Sequence, residues 1–318
     1  LVIDDLKTHS DEIKSLEKEI TLFHANAVNK ILETSKIEID LIGFHGQTIF
    51  HDPEKRISKQ LGDGNMLSQL TKKNVVYDFR QNDIKNDGQG APLAPIYHIL
   101  LAKTFKKKGI LKLPIIILNI GGIANITLIK KPVGSTEIYS KDIGPGNCLI
   151  DEWVRNNCDQ KYDTEGTFAS SGNINEIILE QAQELYLNRK NKEKLSYDIN
   201  DFDISFSRGL SLEDGAATLT KFTADIIIEA ISQILKKEIL VKNILICGGG
   251  RKNKVLLKTI TKHFNSNLNI KLIDEYGLNG DFIESQAFAF LAIRSFFKLP
   301  ISFPNTTGCK SPSTGGVL

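Results

Sequence analysis

The stretch "LNIGGIANITLIKKPVGSTEIYSKDIGPGN", residues 118–147, holds two short glycine segments, each next to an apolar run. Gly121 and Gly122 separate two runs rich in β-branched residues, a pattern that predicts a β-hairpin. The second segment, DIGPGN, precedes CLIDEWV, which can begin a helix. Glycine at a strand end tolerates positive φ and lets backbone N–H groups approach an anion closely. The stretch therefore predicts a hairpin beside an anion site.

A third glycine cluster, Gly248, Gly249 and Gly250, ends the apolar run NILIC. None of the clusters matches GxxxxGK[ST], and CGGG lacks the GxGxxG spacing with a following acidic residue, which disfavours P-loop and Rossmann sites. Each cluster alone is also explained by a tight turn. Three clusters at predicted strand ends together favour phosphate binding.

Apolar patterns of helix and strand type alternate along the chain, which predicts an α/β fold with mixed sheets. Helical spacing predicts amphipathic helices over 11–35, 216–236 and 281–297. Short apolar runs predict strands within 39–47, 74–80, 243–250 and 269–275. The polar loop 81–95 is long enough to suggest a function, and the charged segment 187–203 is predicted to be exposed.

The composition excludes several classes of protein. At 318 residues, 41% of them hydrophobic, the chain is too long for most single cores, so two domains are predicted. The 40 basic and 38 acidic residues leave a net charge of +2 with no basic run, which argues against a nucleic-acid partner. Four separated cysteines form no zinc or disulfide pattern, and no apolar run reaches the roughly 20 residues of a membrane span. A cytoplasmic protein with reduced thiols is predicted.

Eight segments, from about residue 20 to the end, together resemble the anhydro-N-acetylmuramic acid kinase family. They are GFHGQTIFH, LGDGN, VVYDFRQNDIKNDGQGAPLAPIYH, LNIGGIANIT, DIGPGNCLIDEW, YDTEGTFASSG, LICGGGRKN and DFIESQAFAFLA. The resemblance implies a two-domain actin-like or sugar-kinase ATPase fold, with mixed sheets flanked by helices and a central cleft. We predict a first domain of residues 1–113 with 300–318 and a second of residues 114–299.

Members of this family use ATP, with magnesium, to convert 1,6-anhydro-N-acetylmuramic acid and water into N-acetylmuramic acid 6-phosphate, which recycles cell-wall sugar. The implied partners are the small sugar and ATP, and a homodimer is compatible with the resemblance. Water must add at the anomeric carbon while the bridging oxygen takes the γ-phosphoryl group, so a carboxylate is needed as general base. Asp142, which begins DIGPGN, matches the family's catalytic Asp. Taken alone, it is also explained as a turn-stabilising side chain.

The segments FHGQT and GQGAPLAP are predicted to contact the sugar, because carbohydrate recognition needs short polar groups on rigid backbone beside apolar surface. The substrate-binding candidates are His45, Gln47, Thr48, Gln89, Pro92 and Glu284. His45 and His98 are also explained as core histidines, and His98 is left out of the site for that reason. Glu284 is equally explained as a charge that complements a helix N-terminus.

The resemblance assigns the glycine clusters to ATP. The candidates that face the phosphates are Gly121, Gly122, Asn125, Gly144 and Gly146. Gly248, Gly249 and Gly250 are expected to lie against the adenosine. No metal ligand is identified from the sequence.

Two departures from the family pattern support an alternative. The family's Ser-Gly-Thr-Ser-x-Asp-Gly phosphate loop has no counterpart before residue 20, and its Pro-Pro-Lys-Ser segment is replaced around 193–198. The alternative is a non-catalytic sugar- or nucleotide-binding remnant of the kinase, and residues 1–318 alone are expected to be inactive. A different sugar kinase is disfavoured by FHGQT and GQGAPLAP, which resemble this family specifically.

Overall fold

The computed structural model describes residues 8–52, 55–131, 138–188, 197–264 and 268–318. The chain forms two compact units, residues 1–98 with 284–318 and residues 99–283. The predicted domain division places its boundaries further along the chain, at 113/114 and 299/300, and it stays a prediction.

The strands are β1 (Leu41–Phe44), β2 (Gln47–Asp52), β3 (Ile57–Leu61), β4 (Asn74–Tyr77), β5 (Ile115–Ile120), β6 (Ile123–Ile129), β7 (Ile138–Pro145), β8 (Asn243–Cys247) and β9 (Asn269–Leu272). The helices are α1 (Ser10–Thr34), α2 (Gly64–Thr71), α3 (Gln81–Lys85), α4 (Pro95–Lys107), α5 (Cys148–Asn157), α6 (Thr167–Ser171), α7 (Glu176–Asn188), α8 (Leu212–Lys237), α9 (Lys254–Phe264), α10 (Ile283–Phe296) and α11 (Pro304–Thr307). The predicted α/β class with mixed sheets is confirmed. Within the described ranges, no helix has the length and apolar character needed to cross a membrane.

In its described residues, the first unit contains two small sheets. β1 pairs in parallel with β4, and β2 pairs antiparallel with β3. Ala25 of α1 packs with Phe44, Leu67 and Val75, so the apolar face of the predicted helix covers the β1–β4 pair. The helix predicted over 11–35 and both strands are confirmed. The loop predicted over 81–95 instead contains the short helix α3.

The second unit is built on one five-stranded sheet with the order β7-β6-β5-β8-β9. β5, β6 and β7 are antiparallel neighbours, whereas β8 and β9 continue from β5 in parallel. Except for Asn119, β5 consists of Ile and Leu, because the strand is central and buried. Ile116 and Leu118 belong to the same core cluster as Ile227 and Ile231 of α8.

The Gly-Gly hairpin, the strand before CGGG and the helix α8 are confirmed, and α8 is longer than its predicted range. The last predicted strand ends at Leu272, because residues 273–276 turn into a 3₁₀ helix. Residues 189–196 of the segment predicted to be exposed lie outside the described residues. At its described end the prediction is wrong for Tyr197, which is only 8% exposed because its ring packs on Phe202.

Candidate active site

The predicted site residues fall in both units. Asp142 and the three glycine clusters belong to the second unit, and the sugar-binding candidates belong to the first.

A row of polar side chains crosses four strands of the second unit's sheet. Asp142 on β7 lies opposite Asn125 on β6, which lies opposite Asn119 on β5. Cys247 on β8 completes the row, and its Sγ donates to Asn119 Oδ1 at 3.7 Å. Directly opposed residues share one face of a sheet, so these side chains are neighbours. Sequence reasoning missed Asn119, although its place just before the Gly-Gly turn was a usable signal.

Asp142 is held by a backbone N–H of the charged segment 187–203. The residue is 8% exposed, and its Oδ2 accepts a hydrogen bond from the Tyr197 N–H at 2.8 Å. A backbone donor on one carboxylate oxygen fixes the orientation of the side chain. The structure thus gives Asp142 a defined position of the kind that a general base requires.

The DIGPGN segment is bonded to the Gly-Gly hairpin. The N–H groups of Gly146 and Asn147 donate to the carbonyl oxygens of Gly122 and Gly121, each at 2.8 Å. A Cβ on Gly146 would lie 2.2 Å from the Gly121 oxygen, and one on Gly144 would lie 2.7 Å from the Tyr186 hydroxyl. Close packing therefore explains why positions 144 and 146 are glycine. Because the Gly146 N–H is already bonded, a phosphate could use it only by displacing the hairpin carbonyl.

The three glycines after β8 have different surroundings. Gly248 has φ +83°, and a Cβ there would lie 2.4 Å from Asn119 Oδ1. A Cβ on Gly250 would lie 2.3 Å from Ile120 Cγ2. The same atom on Gly249 would have its nearest neighbour, Asn147 Nδ2, at 3.7 Å. Gly248 and Gly250 are thus required by packing, and Gly249 has open space.

Gly249 faces a cavity of about 770 Å³ that lies wholly within the second unit. That volume is typical of small-molecule sites. Polar and apolar side chains share its wall, among them Asn147, Ile150, Asp151, Lys252 and Leu257. The cavity can accept a partly polar small molecule against the glycine backbone.

Arg251 forms one side of this cavity and is fixed by ion pairs. Its side chain is 5% exposed; Nε donates to Asp274 Oδ2 and Nη1 to Asp281 Oδ1, each at 2.7 Å. Hydrogen bonds from Arg251 and Lys252 lower the pKa of Asp281 to about 2. These bonds hold the guanidinium in place, which indicates a structural role for Arg251.

Asp151 lines the same cavity from α5, and its charge is disfavoured there. Burial raises the pKa of Asp151 to about 6; Arg155 opposes the shift and the nearby Asp163 adds to it. The folded protein therefore binds this proton more tightly than the unfolded chain does. Stability must then decrease as pH rises from the usual Asp value, 3.8, to about 6.

Asp151→Asn should remove this dependence. We expect the melting temperature of the variant, relative to the wild type, to increase as pH rises from about 4 to about 6 and then to stay level. Other groups titrate in both proteins, so their effects cancel in the difference between the two melting temperatures. Calorimetric melts of both proteins at matched pH values would measure that difference. A difference that stays constant across this range would contradict the assigned burial of the Asp151 charge.

In the first unit, His45 is neutral and its tautomer is fixed. Nδ1 donates to the Gly46 carbonyl at 2.8 Å, and Nε2 accepts from Arg80 Nε at 3.1 Å. Burial, and then the charge of Arg80, lower the pKa of His45 to about 4. Arg80 also borders Gly90, since its Cβ lies 3.5 Å from where a Cβ of Gly90 would be. Arg80, which sequence reasoning missed, therefore joins the FHGQT segment to the GQGAP loop.

The other sugar candidates are not all brought together. Gln47 and Thr48 begin β2, where Thr48 Oγ1 accepts from Gln60 at 3.3 Å. Pro92 is half-buried, and Glu284 is exposed in the first turn of α10, which also fits charge complementation of the helix. His98, left out of the site, is 1% exposed, and burial lowers its pKa to about 4.

Gln89 is bonded through its backbone and has a buried side-chain oxygen. Its N–H donates to the Thr307 carbonyl at 2.8 Å, so the loop is tied to the C-terminal segment. Its side-chain Oε1 is buried and has no hydrogen-bond partner among the described residues. An unpaired buried acceptor costs free energy in the folded protein.

Known proteins and protein families were compared with the sequence of this chain. The family model for anhydro-N-acetylmuramic acid kinase matches residues 2–318. The chain belongs to the anhydro-N-acetylmuramic acid kinase family. The resemblance seen in the motifs is thus confirmed, and the match starts earlier than residue 20, so it includes α1. The predicted enzyme class, a kinase that uses ATP and acts on a sugar, is confirmed with it.

Relatives in the anhydro-N-acetylmuramic acid kinase family are similar over most of their length. The protein of that name from Pelagibacter ubique is 53% identical over 99% of this chain and 83% of its own. Those from Methylobacterium nodulans and Zymomonas mobilis are 40% and 39% identical over 96% of this chain, and 79% and 80% of theirs. Among solved structures, an activator of 2-hydroxyisocaproyl-CoA dehydratase from Clostridium difficile has 14% identity and a TM-score of 0.35, covering 57% of this chain and 60% of that one.

Proposed function

We propose that the protein hydrolyses the internal bridge of 1,6-anhydro-N-acetylmuramic acid and phosphorylates the sugar to N-acetylmuramic acid 6-phosphate during cell-wall recycling. The observation that carries the proposal is the buried Asp142 carboxylate, oriented by the Tyr197 N–H and next to Asn125 in the polar row. The cytoplasm is proposed as its compartment because that is where ATP is supplied. The predicted homodimer stays a prediction.

In this mechanism Asp142 takes a proton from water as the water oxygen bonds to the anomeric carbon. The bond between that carbon and the bridging oxygen breaks, and the bridging oxygen, now O6, bonds to the γ-phosphorus as ADP leaves. Asp142 then releases its proton to solvent. The FHGQT and GQGAP segments would contact the sugar, and His45 would fix the first of them, because both of its ring nitrogens are bonded within the protein. The cavity beside Gly249 would hold the adenosine.

The side chains of the described residues alone do not form a magnesium site, so the ion fits only if the phosphates of the nucleotide supply further ligands. Among the described residues, no group of three or more His, Cys, Asp and Glu side chains could hold a metal. Magnesium in kinases is usually held by one or two carboxylates together with substrate phosphates. Asp142 and the amide oxygen of Asn125 are hard donors in the row, and the ion would supply neutralisation of phosphate charge.

A labelling experiment tests the proposal. The protein is incubated with ATP, magnesium chloride and the anhydro-sugar in H₂¹⁸O, and the products are quenched early for mass spectrometry. We expect one ¹⁸O at the anomeric oxygen and none in the phosphate of the sugar product. Binding of either ligand without any product would favour the non-catalytic remnant. Phosphorylation of an ordinary hexose in preference to the anhydro-sugar would favour a different sugar kinase.

A further inference from the structure

Asp83 is a buried carboxylate whose role the sequence did not indicate. Its residue exposure is 0%, yet both of its oxygens accept hydrogen bonds. Oδ2 accepts from the Gly90 N–H at 2.7 Å, and Oδ1 accepts from the Thr307 hydroxyl at 2.6 Å. Both donors are uncharged. A carboxylate that is removed from water needs such donors, so the positions of Gly90 and Thr307 are coupled through it.

The GQGAP loop is wrapped closely around this carboxylate. A Cβ on Gly88 would lie 2.2 Å from Asp83 Oδ2, so only glycine fits there. The Gly88 N–H donates to the Asp83 carbonyl at 2.9 Å. The side chain and the main chain of Asp83 therefore fix the residues on both sides of Gln89.

The C-terminal segment closes the other side of the loop. Gln89 donates its N–H to the Thr307 carbonyl at 2.8 Å, so Thr307 contacts both Gln89 and Asp83. Further along, the Lys310 N–H donates to the Asn86 carbonyl at 3.0 Å, and Asn86 Nδ2 donates to the Ser311 carbonyl at 2.8 Å. The backbone of Gln89 is thus held by Thr307 of the C-terminal segment, and the glycines on both sides of it are held by Asp83.

We propose that Asp83 and Thr307 are a positioning pair that holds the GQGAP loop in the conformation that binds the sugar. This inference rests on the proposed function. An N-acetylmuramic sugar closed by a 1,6-bridge keeps two donors outside its acidic group, the hydroxyl on C4 and the N-acetyl N–H. The loop can match these donors only if its backbone is held in register, which is what the bonds from Gly90 and Thr307 to Asp83 provide.

Thr307→Val tests the pair, because it keeps the shape of the side chain and removes the hydroxyl that Asp83 accepts. We expect the dissociation constant and the KM for the anhydro-sugar to rise by about tenfold or more, with the KM for ATP changed less than about twofold. Thr307→Ser retains the hydroxyl and should restore sugar affinity. Thr71→Val is the matched control, since Thr71 is also buried in the first unit but donates within its own helix. It should leave sugar affinity unchanged.

Two measurements distinguish failure of the positioning pair from failure of the proposed function. Calorimetry without nucleotide gives sugar affinity, and amide hydrogen exchange over residues 86–90 gives the order of the loop independently of activity. Faster exchange and weaker sugar binding in Thr307→Val, reversed in Thr307→Ser, support the positioning pair. Unchanged sugar affinity in Thr307→Val, in a wild-type background that binds sugar, overturns it. A wild-type protein that binds no anhydro-sugar overturns the proposed function itself.

Discussion

Asp142→Asn should lower turnover by about 100- to 10,000-fold and leave sugar binding nearly unchanged. The substitution keeps the size of the side chain, and the amide oxygen can still accept the Tyr197 N–H that the carboxylate accepts at 2.8 Å. What it removes is the ability to take a proton from water. The measurement is a coupled ADP assay for turnover beside calorimetric titration with the anhydro-sugar.

Asp225→Asn provides the control for this experiment. Asp225 also accepts hydrogen bonds, from Lys221 and Gln183 in the same unit, but it lies on α8 and outside the polar row. Its replacement should leave turnover within about twofold, because the half-buried Lys221–Asp225 pair lies outside the polar row. Turnover retained by Asp142→Asn would remove Asp142 from the mechanism. Loss of both turnover and sugar binding would indicate a structural role instead.

Gly248→Ala should reduce the free energy of unfolding by about 3 kcal/mol, and with it nucleotide binding. Gly248 has φ +83°, and its new Cβ would lie 2.4 Å from Asn119 Oδ1 and 2.6 Å from the Ile120 carbonyl oxygen. The Ile120 oxygen belongs to a central strand and cannot move cheaply. Relief of the clash must therefore shift β8 or displace Asn119 from the row beside Asp142. Denaturant titration would measure the loss of stability.

Gly249→Ala is the matched control one residue later. The nearest atom to its Cβ, Asn147 Nδ2, is 3.7 Å away, so stability should change by less than about 1 kcal/mol. Because Gly249 borders the cavity, we still expect a higher KM for ATP with a nearly unchanged kcat. Equal destabilisation by both substitutions would show that the open space at Gly249 is misassigned. An unchanged KM for ATP in Gly249→Ala would place the nucleotide elsewhere.

Sequence reasoning succeeded where the determinant of structure is local. The Gly-Gly hairpin follows from a glycine pair between β-branched runs, and α8 follows from apolar residues at helical spacing. The predicted positions of site residues rest on motifs and stay predictions. The contacts around them join distant parts of the chain: Arg80 meets His45 across 35 residues, and Tyr197 meets Asp142 across 55. No periodicity in the sequence encodes such pairings, so they appear only once the strands are in register.

The hydrogen bonds from Gly146 and Asn147 to the hairpin carbonyls also limit how this site can diverge. Gly146 leaves no room for a Cβ beside the Gly121 oxygen, so a side chain gained at position 146 is tolerated only if the hairpin backbone moves away. A mutation in one loop therefore changes which mutations the other accepts. We therefore expect the DIGPGN segment and the Gly-Gly turn to accept substitutions only in combination.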